Sequence, residues 1–262
     1  MHRTEPKVFL VAETQTHDKG LQAYFDCIGA RNFKFDEGLS GSEKLTETMS
    51  RMCYRSFEPG LNANIGRVRE GNAKHIANII KVGHGSVTEH ATVSFIFHNV
   101  SRVFTHELVR HRAGCAMSQE SLRYVILTDL GGWLPECINA KPEMVALFEK
   151  TFENLEALQL EMARVYDLDN PDLSFGIKKK VTSAMRRIAP IGLATSIGFT
   201  MNHRALRHIL TMRTSPGAEE EIRIAFAEVG RICMERWPNL YQDMVLSTES
   251  GLDVFSTNSN KI

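Results

Sequence analysis

Residues 92–114 read TVSFIFHNVSRVFTHELVRHRAG, and the change of period inside that stretch sets the fold class. Thr92 to Val100 is dense in β-branched and aromatic residues, which suits a strand. From Phe104 the marked positions fall three and four apart, at Phe104, Leu108 and His111, so they share one face of a helix and turn His111 inward. Gly114 is a natural C-terminal breaker, and the helix is expected to end near it. Strands and helices follow one another elsewhere without clean alternation, which predicts an α+β (mixed α/β) domain.

Toward the N-terminus, Lys7–Glu13 (KVFLVAE) reads as a buried strand and Leu21–Ala30 as a short helix opening after Gly20. Ser40 followed by Glu43 has the form of a capping box, after which Leu45, Met49, Met52 and Cys53 repeat at helical spacing. Residues 72–82 form a further predicted helix, stopped by Gly83 and Gly85. Toward the C-terminus, an amphipathic stretch after Pro142 carries Leu147, Phe148, Phe152, Leu155 and Leu158, and Ser174–Arg187 reads as a helix closed before Pro190. Ile191–Thr200 is a candidate strand and His203–Arg213 a helix. In the last long helix, Ile222, Phe226, Val229 and Cys233 mark the buried face. Residues 1–245 are expected to be one domain, with 246–262 a polar and flexible tail.

Of 262 residues, 43% are hydrophobic, enough for a sizeable core, and 31 basic side chains balance 31 acidic ones. Zero net charge argues against a generic nucleic-acid or membrane binder, whose affinity rests on excess positive charge. Five cysteines, widely spaced and without a CxxC pair, suggest neither a disulfide framework nor zinc, and fit a reducing cytoplasm. No stretch reaches the ~20 apolar residues of a membrane span.

Against that neutral background the positive charge is concentrated. Arg110, His111 and Arg112 are followed by Ser118-Gln119-Glu120-Ser121-Leu122-Arg123-Tyr124. Packed guanidiniums repel one another unless an anion neutralises them, and Arg offers a rigid fork of donors that matches phosphate and carboxylate. A second concentration is Asn202-His203-Arg204, Arg207-His208 and Arg213. On a helix Arg204, Arg207 and His208 share a face, opposite Leu206 and Leu210, while Asn202 and Arg213 return to nearly one azimuth after three turns. One face of such a helix either lines a long anionic ligand or is simply solvated. A third motif, HGSVTEH at 84–90, lacks the histidine spacing of a zincin, so it reads as a ligand-binding loop or a hydrogen-bonded turn, and no metal is expected. Cys115 beside the Arg cluster is either a thiol of lowered pKa or a small buried residue. No GxSxG, P-loop or GxGxxG is present.

RHR followed by SQESLRY resembles the signature of the flavin-dependent thymidylate synthases, the ThyX family. HGSVTEH, THELVRHR, RRIAP and NHRALRHILTMR through AEEEIR resemble further blocks of that family in the same order, across roughly residues 67 to 224, and KVFLVAET resembles the start of longer bacterial members. One departure is visible: eight residues, Ala113 to Glu120, separate Arg112 from Ser121, where the family has seven. The extra residue is placed within Ala113–Met117.

The resemblance implies a fold with a central, mostly antiparallel sheet flanked by long helices. It implies that Ser86, Arg110, His111, Arg112, Gln119, Asn202, His203, Arg204 and His208 contact FAD. It further implies that Glu107, Arg110, Gln119, Glu120, Ser121, Leu122, Arg123, Arg186 and Arg213 hold dUMP, with Arg213 catalytic because it stabilises the ionised pyrimidine. The implied reaction methylates dUMP to dTMP. NADPH reduces FAD, methylenetetrahydrofolate gives the carbon, and tetrahydrofolate leaves. A homotetramer with shared active sites is implied as well. Two other readings stand beside it: a flavin-dependent pyrimidine nucleotide hydroxymethylase, which traps the carbon with water, and a nucleotide-binding homologue without turnover.

Overall fold

The computed structural model describes residues 2–65, 67–123, 127 and 129–259. Two short strands bracket nothing long: β1 (His2–Arg3) pairs in parallel with β5 (Gly131–Gly132). Between and after them run β2 (Lys7–Glu13), α1 (Asp18–Ile28), α2 (Gly41–Tyr54), α3 (Asn72–Val82), β3 (Thr92–Ser101), α4 (Arg102–Leu108) and β4 (Cys115–Gln119). They are followed by α5 (Glu136–Asn139), α6 (Pro142–Val165), α7 (Phe175–Met185), β6 (Ala194–Asn202), α8 (His203–Arg213), α9 (Glu220–Arg236), β7 (Val245–Glu249) and β8 (Leu252–Ser256). A four-stranded sheet has the order β2-β3-β6-β4. Its pairings are antiparallel, since Ser94 meets Thr200 at 2.8 Å while His98 meets Ser196 at 2.9 Å, and Asn202 N donates to Gly114 O while Glu120 N donates to Ser196 O.

The chain divides into two compact units. One comprises Met1–Val8, Ile96–Arg110 and Met117–Gly198, the other Phe9–Phe95, His111–Ala116 and Phe199–Ile262. In the first unit Phe97, Val100, Phe104 and Leu108 are sealed from solvent, and Leu127, Leu130, Phe152 and Leu193 form a further cluster. In the second, α9 buries Ile222, Phe226, Val229 and Cys233 completely, as the helical spacing predicts. An aromatic cluster of Phe25, Phe33, Phe35 and Phe57 closes the turn after α1, with Phe25 and Phe33 centroids 5.2 Å apart.

Several expectations change. β2 has the predicted bounds but contains no buried residue, and Phe9 and Val11 are exposed, so it is an edge strand instead of a buried one. Its β-branched and aromatic run fits either position, and composition does not distinguish them. α2 begins at the predicted capping box, with Glu43 N donating to Ser40 Oγ and Ser40 N to the Glu43 carboxylate. Its buried face, however, is polar: Ser42, Thr46, Glu47, Ser50 and Arg51 are inside, while Met52 and Cys53 are exposed. Glu47 and Arg51 pair at 2.7 Å, and Asn72 of α3 donates to Glu47 at 2.8 Å, so a hydrogen-bonded network takes the place of an apolar stripe. α4 stops at Leu108, six residues before Gly114, which leaves His111 in the turn leading to β4 and not on a helix. Leu147 and Leu158 of α6 are exposed, and the helix buries Phe152, Gln159 and Ala163. The expected tail from residue 246 onward is mostly the β7–β8 hairpin, which starts at Val245 and whose Phe255 is buried against Gly230 of α9.

Candidate functional site

The site residues read from the sequence fall into two chain sets, one in each unit. In the first unit, Leu122 and Arg123 at the end of the signature meet Arg186 in a cleft of ≈ 780 Å³. Arg102, Lys179, Lys180 and Arg187 line it as well. Sequence reasoning missed these four cations. The signal was present, because Lys179, Ser183 and Arg186–Arg187 are spaced to share one face of α7 and its continuation, but a basic run on an isolated helix also reads as a solvated face.

The cleft is held by backbone contacts. Thr182 Oγ1 donates to Arg123 O at 2.6 Å, and Arg123 N donates to Ser121 Oγ at 3.3 Å. Arg102 donates to Glu120 O at 3.0 Å, and its buried Nε has no partner among the described residues. Burial lowers the Arg102 guanidinium pKa, Glu120 opposes that shift and Arg186 adds to it. Cations that crowd one another in this way are suited to a doubly charged phosphate, which would offset their repulsion.

The remaining first-unit residues do other work. Gln119 Nε2 donates to Thr105 Oγ1 at 3.1 Å. Glu120 is bound to β6, with its carboxylate accepting from Ser196 N at 3.2 Å, and it lines a smaller cavity of ≈ 320 Å³ together with His98 and Asp129. Arg110 is exposed just after α4 and donates to His106 O at 3.3 Å, while Glu107 is half-buried. Tyr124 of the signature lies outside the described residues.

In the second unit, α8 is the organising element. Asn202 caps it by accepting from Ala205 N at 2.8 Å, and a side chain at Gly114 would meet Asn202 Nδ2 at 2.3 Å. Gly114 also has φ +71°, so a glycine is required there twice over, although as a turn before a strand and not as a helix stop. Arg204 and His208, four residues apart, are both exposed, and Arg204 pairs with Glu89 at 2.5 Å. Arg207 does not share their face. It is buried, forked onto Asp243 at 2.9 and 2.7 Å, with Leu240 O as a further acceptor at 2.6 Å. The carboxylate of Asp243 draws it inward, a partner 36 residues away that helical spacing does not reveal.

His203 departs most from its expected role. It is wholly buried, edge-on to Trp237 at 4.8 Å and hydrogen-bonded to the Tyr241 hydroxyl at 2.9 Å, so its imidazole is packed in the core instead of presented to a ligand. Burial, with Arg207 adding, lowers its pKa to about 3. Ser86 is exposed in the 3₁₀ turn Gly85–Glu89, which Thr88 closes through a 2.7 Å bond to Gly85 O. Arg112 is exposed. Arg213, at the last residue of α8, donates from Nε to His111 Nε2 at 2.8 Å. Burial pushes the Cys115 thiol pKa upward, opposite to the shift that the neighbouring arginines suggested for a nucleophile. Among the described residues no cluster of three metal-ligating side chains occurs.

This donor set fits a flavin dinucleotide: exposed guanidiniums at Arg112 and Arg204, a hydroxyl at Ser86, an imidazole at His208, and a capped helix start suit a diphosphate and a planar ring. The buried side chain of His203 does not fit, and Arg110 and Gln119, expected to contact the same cofactor, belong to the first unit.

A fold of this kind with these two donor sets belongs to a known class. The family model described as thymidylate synthase complementing protein matches residues 37–239. Among curated relatives, a flavin-dependent thymidylate synthase of Mycolicibacterium vanbaalenii is 36% identical over 211 residues, covering 78% of this chain and 80% of the relative. That of Mycobacteroides abscessus is 31% identical over 230 residues, covering 87% and 90%. Among solved structures, a UMP/dUMP methylase PolB from Streptomyces cacaoi bound with 5-Br dUMP superposes with TM-score 0.62 at 17% identity, covering 92% of this chain and 96% of that one. Thymidylate synthase X (ThyX) from Helicobacter pylori with FAD and dUMP gives TM-score 0.53 at 19% identity, covering 90% and 95%, and both likenesses concern the fold. The chain belongs to the thymidylate synthase complementing protein family, that of the flavin-dependent thymidylate synthases.

Proposed function

We propose that this protein is a flavin-dependent thymidylate synthase that methylates dUMP to dTMP. The correspondence of residues 37–239 to the family carries the reading, and the cationic cleft around Arg123 and Arg186 supports it. Uracil C5 is a weak nucleophile until negative charge enters the ring. A guanidinium fixed against the pyrimidine edge lowers the energy of that charge without a covalent enzyme intermediate. Arg213 has that role, held through Nε by His111. Arg123 and Arg186 hold the phosphate, with Arg102 and Lys179 adding charge to the same cleft. Arg112, Arg204, His208, Ser86 and Asn202 hold FAD, which when bound supplies the hydride that completes the methyl group. Methylenetetrahydrofolate is the carbon donor and NADPH the reductant. The assembly is a homotetramer whose active sites draw groups from more than one chain, working in the cytoplasm. The five cysteines are all free thiols.

Mass spectrometry of the nucleotide formed from dUMP by the purified protein with FAD, NADPH and methylenetetrahydrofolate tests the reading. A product with the mass of dTMP is expected. One extra oxygen on that mass would instead identify a hydroxymethylase, and unaltered dUMP a binding protein.

A further inference from the structure

Arg213 and His111 are joined by a 2.8 Å hydrogen bond across 102 residues of chain, and the chemistry of that bond is one-directional. Arginine Nε carries a proton at any accessible pH and has no acceptor capacity, so His111 Nε2 must be the acceptor and the imidazole proton must sit on Nδ1. An imidazolium would present an N–H to an N–H and place two cations in contact. The backbone end of the arginine is also fixed. Thr214, which follows it, is fully buried, donates its hydroxyl to Leu210 O at 2.8 Å and accepts from Phe255 N at 2.9 Å. A guanidinium on a four-bond stem has many rotamers, and an anchor at Nε removes part of that freedom.

Resting on the role given to Arg213 above, we infer that His111 is a positioning residue that acts through Arg213: by accepting the Nε–H it sets the direction in which the guanidinium points. The groups facing the imidazole agree with this. Among the described residues Arg213 and His208 of α8 are charged or titratable side chains beside it, and burial first, then both of them, lowers the His111 pKa to about 4, so the ring is a neutral acceptor at neutral pH. His208 lies edge-on, with ring centroids 6.2 Å apart. The permanent positive charge of Arg213 keeps the acceptor form populated, and the acceptor holds the arginine. The inference gives the middle residue of RHR a task separate from binding FAD.

The test compares His111→Phe, His111→Gln, Arg213→Ala and the His111→Phe/Arg213→Ala double variant as flavin-loaded proteins. It reads kcat for tritium release from 5-tritiated dUMP, bound-flavin absorbance, and the His111 imidazole titration by NMR in the wild type and in Arg213→Ala. Per bound flavin, at saturating FAD, His111→Phe is expected to lose kcat at least tenfold, and His111→Gln, which keeps a carbonyl acceptor, to recover most of it. In the Arg213→Ala background His111→Phe is expected to cost nothing further, because residues that act as one unit are non-additive. The His111 pKa is expected to rise once Arg213 is removed. Unimpaired turnover in Arg213→Ala would overturn the catalytic role of Arg213 and this inference with it. Loss of turnover in Arg213→Ala but not in His111→Phe, additive losses in the double variant, or an unmoved His111 titration would overturn this inference alone.

Discussion

At the scale of the residue, the same side-chain type takes opposite tasks according to its partner. Arg204 and Arg207 are three apart on one helix, yet the first is exposed beside Glu89 and the second is buried and forked onto Asp243. The fork ties α8 to the segment after α9, and truncating Arg207 would remove a buried, triply bonded guanidinium and leave the half-buried Asp243 carboxylate without its cation. Arg207→Ala is therefore predicted to destabilise the fold by about 3–5 kcal/mol in urea unfolding, whereas Arg204→Ala should change stability by under ~1 kcal/mol and instead weaken flavin retention. Gly114→Ala combines a left-handed backbone with a clash against the Asn202 cap, so its melting temperature should fall and FAD occupancy with it. At this scale the sequence revealed which residues are charged and how they cluster. The inward turn of His203 and Arg207 was hidden because Tyr241 and Asp243, their partners, lie 38 and 36 residues downstream.

Among the elements, periodicity located α3 and α8 within a residue or so and picked out the buried face of α9, and the capping box located the start of α2. Those signals are local: each depends on side chains within one or two turns. Burial is not local, and the polar inner face of α2 illustrates the difference. The pattern Leu45, Met49, Met52 marks a helix correctly, but the network of Glu47, Arg51, Asn72 and Ser50 with His75 decides which side faces inward. Glu47→Ala should cost about 3–5 kcal/mol in chemical denaturation, since Arg51 would be left buried without its carboxylate. Met52→Ser on the exposed side should cost under ~0.5 kcal/mol. β4 was not foreseen, because Cys-Ala-Met-Ser-Gln has little strand propensity of its own. Its pairing with β6, through Gly114 and Glu120 on either side of it, supplies what composition does not. The β7–β8 hairpin was hidden by its polar composition, and Gly230→Ala, whose added carbon would lie 2.4 Å from the Phe255 ring, should loosen it with a loss of about 1–3 kcal/mol.

For the molecule as a whole, three histidines are held neutral, His75 and His203 with pKa lowered to about 3 and His111 to about 4, in each case chiefly by burial. Unfolding releases them to an ordinary value near 6.5, so above that pH they leave stability unchanged. Below it the unfolded chain takes up protons that the folded one refuses. Stability is therefore predicted to fall as pH drops from about 6.5 towards 4, by up to ~1.4 kcal/mol per pH unit for each fully buried histidine, and denaturation midpoints measured across that window would check it. His203→Gln should flatten the dependence. The assembly proposed here predicts a light-scattering mass of four chains of 29.5 kDa each, and a single-chain mass under assay conditions would contradict shared active sites. The central claim is the chemistry. The most direct measurement is tritium release from 5-tritiated dUMP by the purified protein with NADPH and methylenetetrahydrofolate, with and without FAD. Release that requires both flavin and folate is the predicted result, and a flavin-loaded protein that releases no tritium would contradict it.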